Sequence, residues 1–305
     1  MPFISYLLSI ALLFHAGIAE PQPQGLVGDL VGVVDDLPLV SGVLSDLATT
    51  LGAASALLAK PTAVKQAASR LSSIAADLVE AGLTPDNVVD AFDFVEGILD
   101  GENSENNNNP RNPSPPAYPK ANRKDAPYSL TKQQLRAAIY IPDTFQCGRK
   151  GAPQPAILVP GTGNTGYIAH IGSYIPVLQG SDIADPVWLN IPGFLLGDAQ
   201  VNAEYVAYAI NYIYGISNRR NVAVVTWSQG GLDAQWAFKY WPSTRQRVTD
   251  LVAFSPDYHG TVLANLIDLG EPLPPSVIQQ EYNSNYVTTL RRNGGDSAYV
   301  PTTNV

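Results

Sequence analysis

The sequence predicts an α/β fold: a mostly parallel sheet with helices on both faces, preceded by a separate helical region. Three observations predict it. From Ala126 onward, short apolar runs rich in β-branched residues alternate with stretches of helical pattern. The runs are continuously apolar, as in strands covered on both faces. Two of them end in sharp turns: Ile157-Leu158-Val159 enters Pro160-Gly161, and Val222 to Val225 leads directly to Ser228.

The elements follow in order. Residues 156–159 and 187–191 read as strands, and His170 falls between them in a short helix. Residues 201–214 read as a helix, 222–225 as a third strand, 231–240 as a second long helix and 251–254 as a fourth strand. Ala298-Tyr299-Val300 reads as the start of a fifth strand. Strands alternating with helices favour parallel pairing.

Upstream the texture differs. Val64, Ala67, Leu71, Ile74 and Leu78 recur at the three- and four-residue steps of one helix face. Gly82 ends that helix, and Thr84-Pro85-Asp86 starts another with a hydroxyl cap, a first-turn proline and an acid. Residues 20–100 therefore read as an acidic helical region, a possible propeptide. Residues 101–125, with an asparagine run and Pro110, Pro113, Pro115, Pro116 and Pro119, read as an extended linker. Arg123-Lys124 near its end has the form of a processing site. Residues 126–305 form the α/β domain.

The first 19 residues read as a secretory signal: a short apolar run through Phe14, then small residues at Gly17 and Ala19. The run is too short to span a membrane, and a secreted protein without a transmembrane segment is expected. A net charge of -9 without a basic stripe argues against a nucleic-acid partner. The single Cys147 excludes an internal disulfide framework. His15, His170 and His259 are scattered, so no metal site and no cofactor are expected.

The chemistry gathers at Val225-Thr226-Trp227-Ser228-Gln229-Gly230-Gly231. A β-rich run, a turn centred on serine, two glycines and a helix form the setting of a nucleophile elbow, with Thr226 where a first glycine is usual. A hydroxyl at neutral pH needs a base to become a nucleophile. It also needs backbone N–H groups aimed at the developing oxyanion, one after the nucleophile and one from an earlier strand-end loop. Gln229 and Thr162, in Pro160-Gly161-Thr162-Gly163, occupy those two places. For the base, a relay of Asp257 and His259 is one arrangement; a loop histidine beside a pocket aspartate is the other.

Six stretches resemble the fungal lipase B family of α/β-hydrolases: ILVPGTGNTG (157–166), QVNAEYVAYAI (200–210), VTWSQGGLDAQW (225–236), FSPDYHGTVLA (254–264), PPSVIQQ (274–280) and VPTTNV (300–305). The resemblance covers about half of the chain and includes the threonine at 226. It implies Ser228 as nucleophile, with Thr162 and Gln229 as the oxyanion hole. It also implies that Trp227 lines the alcohol side of the pocket and that Asp257, Thr261 and Gln280 line the acyl side. Cys147 matches a family half-cystine whose partner's place Val187 takes. The family's acid falls a few residues past the stretch matching 301–304 and its histidine much later, so the resemblance implies an α/β-hydrolase incomplete at its C-terminus, with neither group in these 305 residues. The expected function is secreted carboxylic-ester hydrolysis of the lipase kind, on ester or lipid substrates at a lipid–water interface. The 305 residues by themselves are expected to turn over little; the alternative is a catalytically inactive, secreted binding protein derived from a lipase.

Overall fold

The structure is a computed structural model and describes residues 100–262 and 273–305, with Gly97 and Ala264 besides. The chain divides into two compact units, Met1–Gly101 and Glu102–Val305. The signal, and almost all of the acidic helical region, lie outside the described residues.

The second unit is built on a six-stranded sheet: β1 (Ile139–Tyr140), β2 (Gln154–Val159), β3 (Ala184–Leu189), β4 (Val222–Trp227), β5 (Val248–Phe254) and β6 (Thr302–Asn304). Their spatial order is β1-β3-β2-β4-β5-β6. Every pairing is parallel except β1 with β3. β2 and β3 are buried from their second residue to their last, as strands covered on both faces must be. The fifth strand starts later than the sequence suggests. Residues 298–300 pack as irregular chain, with Val300 buried, and β6 pairs with β5 from Thr302. Pro301 explains the offset, because it has no N–H to give a ladder and its carbonyl instead accepts from Leu251 N at 2.9 Å.

Seven α-helices have their bounds among the described residues, α1 (Lys132–Ala137), α2 (Gly166–His170), α3 (Tyr174–Leu178), α4 (Ala199–Ile216), α5 (Gln229–Tyr240), α6 (Pro275–Gln279) and α7 (Asn285–Arg291), and a 3-10 helix (Pro242–Gln246) follows α5. Asp198 caps α4, its carboxylate accepting from Gln200 N at 2.8 Å. α4 is buried on nearly every side and packs along α5, which makes this pair the centre of the core.

Residues 101–125 differ from the expected linker. From Glu102 on they belong to the α/β unit. Glu102 O accepts from Trp188 Nε1 and Asn190 Nδ2, both at 2.8 Å. Asn107 Nδ2 donates to Ala137 O at 2.9 Å and Asn109 Nδ2 to Ile139 O at 2.7 Å. Tyr212 donates its hydroxyl to Arg111 O, and Ala117 is buried in the core. The asparagines that looked like low-complexity spacer satisfy backbone carbonyls that no ladder reaches. Arg123 and Lys124 are exposed on a turn beside Asp125, whose buried carboxylate accepts from Ser243 N and Asn122 N. Cys147 is a free thiol, and Val187 is fully buried in β3.

Candidate functional site

The site lies where β2, β4 and β5 reach their C-terminal ends. In the register of the sheet, Val159 stands beside Thr226, and Trp227 beside Phe254. Ser228 follows β4 directly and opens α5 with φ 50° and ψ -123°. A non-glycine residue at positive φ is strained, and the surroundings must hold it. Here Ser228 N donates to Phe254 O at 2.8 Å, while Gly231 N donates to Ser228 O at 2.9 Å.

Close approach explains the glycines. A Cβ on Gly230 would stand 2.5 Å from Pro160 O, and one on Gly231 would stand 2.7 Å from Pro256 Cβ. Thr226, where a first glycine is usual, is fully buried, and its Oγ1 stands at ordinary contact distance, 3.4 Å, from the place a Gly231 Cβ would take.

The structure brings all seven residues singled out in the sequence to this place. Ser228 Oγ donates to Asp257 Oδ2 at 3.2 Å. Trp227 lies against Gly161, whose added Cβ would meet both Trp227 Cε3 and Ser228 Cβ at 3.0 Å. Thr162, Gln229 and Gln280 form a buried ring of polar side chains. Thr162 Oγ1 donates to Gln229 Oε1 at 2.7 Å, and Gln280 Nε2 lies 2.9 Å from that same oxygen and 3.0 Å from Thr162 Oγ1. Thr261 joins the ring through its backbone, Thr261 N donating to Gln280 O at 2.7 Å. Gln229 is the first residue of α5, so its N–H has no partner within the helix and faces out from the positive end of the dipole.

Burial sets the charges. Desolvation pushes the Asp257 carboxyl up to about 6, and the hydrogen bond from Ser228 opposes this. Asp257 is therefore largely ionised at neutral pH. His170 is fully buried, and desolvation lowers it to about 4, so its ring is neutral. Its Nε2 lies 3.3 Å from Val159 O, a carbonyl, and must carry the proton there. His259 is exposed on the loop after β5 and lies 3.7 Å from Asp296 Oδ1. The structure thus does not assemble the Asp257–His259 relay. Among the described residues, the side chain hydrogen-bonded to Ser228 Oγ is that of Asp257.

One residue went unnoticed in the sequence. Asp233, one helical turn after Gln229, is fully buried, and desolvation raises its carboxyl well above the usual range. Gln229 Nε2 donates to Leu195 O at 3.1 Å and reaches Asp233 Oδ2 at 3.4 Å, which turns the Gln229 carboxamide oxygen toward Thr162. The four-residue spacing was the available signal, but an acid on a helix reads first as a solvated one. A groove of about 900 Å³ lined by Trp236, Tyr240 and Tyr286 among others shares no residue with the site. No group of three or more metal-binding side chains is found among the described residues, and none of the described helices is long and apolar enough to cross a membrane.

Comparison with known proteins bears on the fold. No protein-family model matches the chain. Lipase B of Pseudozyma antarctica is 45% identical over 152 residues, which are 50% of this chain and 44% of that protein. The crystal structure of Aspergillus fumigatus lipase B superposes with a TM-score of 0.66 at 45% identity, covering 78% of this chain and 55% of that one. The chain thus spans about half the length of the relatives it matches. In sequence and in fold alike, the matched part of the chain is similar to fungal lipase B, and its fold is that of an α/β-hydrolase.

Proposed function

We propose that the protein is a secreted hydrolase of carboxylic esters, acting on lipid-like substrates through an acyl-enzyme on Ser228. The observation that carries this reading is the strained turn at Ser228 with the N–H of Gln229 and the Thr162 loop beside it. Ser228 Oγ attacks the ester carbonyl carbon and gives its proton to Asp257 Oδ2, its acceptor at 3.2 Å, which returns it to the leaving alcohol. The carbonyl oxygen takes the negative charge and is held by the N–H groups of Gln229 and Thr162 and by the Thr162 hydroxyl. Collapse expels the alcohol, which takes a proton, and water repeats the sequence on the acyl-enzyme. Trp227, on the Gly161 side, bounds the alcohol portion. Asp257, Thr261 and Gln280 bound the acyl portion.

Proton removal is the weaker half of the site. Asp257 accepts the hydrogen bond of Ser228 but has low basicity. The resemblance places the imidazole base in a part of the relatives that the matched residues do not span. Turnover that relies on Asp257 as its base is accordingly expected to be small, although oxyanion binding alone leaves roughly 10³-fold over water. The secretory reading rests on the apolar run through Phe14 and the small residues that follow it. A second reading, a non-catalytic secreted protein that binds esters in the same pocket, is favoured by the absence of an imidazole beside Ser228 among the described residues.

A reaction that needs one event per molecule separates the two. A p-nitrophenyl alkylphosphonate is expected to release one p-nitrophenolate per chain from the full-length protein and none above background from Ser228→Ala. Equal rates for the two proteins would overturn the hydrolase and leave the binding protein.

A further inference from the structure

The hydroxyl of Thr162 has one proton, and the structure offers that proton two acceptors. Gln229 Oε1 is at 2.7 Å and Gln280 Oε1 at 3.1 Å. A proton engaged with either carboxamide is unavailable to an oxyanion. Gln280 supplies the way out. Its Nε2 carries two hydrogens and has three oxygens within reach: Ser276 O at 3.1 Å, Thr162 Oγ1 at 3.0 Å and Gln229 Oε1 at 2.9 Å. One hydrogen holds the Ser276 carbonyl one turn back on α6. The other has two placements. It donates to Thr162 Oγ1 while Thr162 donates to Gln229, or it donates to Gln229 Oε1 and releases the Thr162 proton from that shorter bond, so that an oxyanion competes for it only with Gln280 Oε1 at 3.1 Å.

We propose that Gln280 is the positioning residue that releases the Thr162 proton to the oxyanion, by taking over as donor to Gln229 Oε1. The inference rests on the ester-hydrolase reading of Ser228. No heavy atom has to move, because both donors already lie within hydrogen-bond distance of the same oxygen. All three side chains are buried. Without Gln280, freeing the Thr162 hydroxyl would leave Gln229 Oε1 buried and unpaired, which is the expensive outcome for a polar atom. With Gln280, the exchange costs one hydrogen bond and returns another. Gln229 is fixed for this purpose from its far end, where Leu195 O and Asp233 hold its N–H₂ group. Gln280 thus has a role separate from lining the acyl side of the pocket.

The test follows the first-order rate of phosphonylation of Ser228 in the full-length protein, alongside its saturation constant. Gln280→Leu removes the replacement donor and is expected to slow the maximal rate roughly 10- to 100-fold. The saturation constant changes little, and the loss is the same for methyl- and hexylphosphonates. Gln280→Glu, of the same shape, turns a donor into an acceptor and is expected to slow the reaction at least as much. A double-mutant cycle distinguishes positioning from pocket lining: in a Thr162→Val background, Gln280→Leu should have no further effect. Additive losses in that cycle, or a loss that grows with alkyl length and appears in the saturation constant, would overturn the inference while Ser228 remained reactive. If no variant shows Ser228-dependent release at all, the hydrolase reading itself fails and this inference fails with it. Circular dichroism on each variant excludes loss of the fold as the cause.

Discussion

The two sides of Ser228 are built to different standards. On the oxyanion side, Thr162, Gln229 and Gln280 are buried and neutral, and they are linked to one another by hydrogen bonds of 2.7 to 3.1 Å. On the acid side stands Asp257, partly exposed, with its carboxyl raised to about 6 and one hydrogen bond from Ser228. In the proposed reaction the first side would meet charge that appears only in the transition state. The second holds a charge already present in the ground state and offers only a weak base. Stabilising an oxyanion and removing a proton are separable tasks, and under the proposed function the described residues would serve mainly the first.

The largest expected effect comes from breaking the oxyanion side at its tightest contact. Gly230→Ala would set a methyl group 2.5 Å from Pro160 O, a backbone atom that can yield only if the Pro160–Gly163 loop moves. Overpacking of this kind costs roughly 3 kcal/mol, and it should displace Thr162 from Gln229 as well. Urea denaturation and phosphonate release should therefore fall together. A variant as stable and as reactive as the parent would show that the contact between β2 and α5 is softer than the structure indicates.

How legible was this in the sequence? The parallel sheet was, because continuous apolar runs such as Ile157 to Val159 are hard to place anywhere but between two covered faces. So was the serine turn, since Gly230 and Gly231 have few other reasons to follow a strand. β1 escaped notice because two residues carry no period, and α3 because Pro176 sits inside it. Residues 102–125 were misleading for a physical reason: a segment whose asparagines bond to carbonyls elsewhere in the fold looks the same in sequence as one bonded to water. Seven site residues could be chosen from the motif stretches, but their pairing could not. That Thr162 and Gln280 meet depends on folding together residues 118 positions apart, and Asp233 acts on Gln229 only because the helix faces inward.

The acid side can be sharpened by pH. A carboxyl whose folded pKa is raised binds its proton more tightly in the folded state than in the unfolded one. For Asp257, the shift from 3.8 to about 6 means that the folded state holds more proton across this window. Stability therefore falls as pH rises from about 4 to about 6, by at most roughly 3 kcal/mol for a shift of two units. Asp257→Asn removes the titration. Its stability relative to the parent should be higher at pH 8 than at pH 4, as read from denaturant midpoints at both pH values. A difference that did not change with pH would show that Asp257 is better solvated than its place beside Ser228 implies.

The smallest effect is expected at His259, which also decides whether the acid side has any reserve. The sequence allows His259 to relay a proton, two positions beyond Asp257. The structure turns it outward, exposed and within 3.7 Å of Asp296, which pairs at 2.7 Å with Arg291. To serve Ser228, the ring would have to leave that carboxylate and fold back over the loop. The neighbouring Gly260 has φ 74°, and a Cβ there would lie 2.7 Å from Gln280 O, so the loop is held against α6 and has little freedom to carry the ring across. His259→Ala should therefore leave the phosphonate release rate within a factor of about two, the size expected when an exposed side chain that takes no part in the reaction is removed. A tenfold or greater loss would place an imidazole at Ser228 after all, and the contrast between a finished oxyanion side and an unfinished acid side would no longer hold.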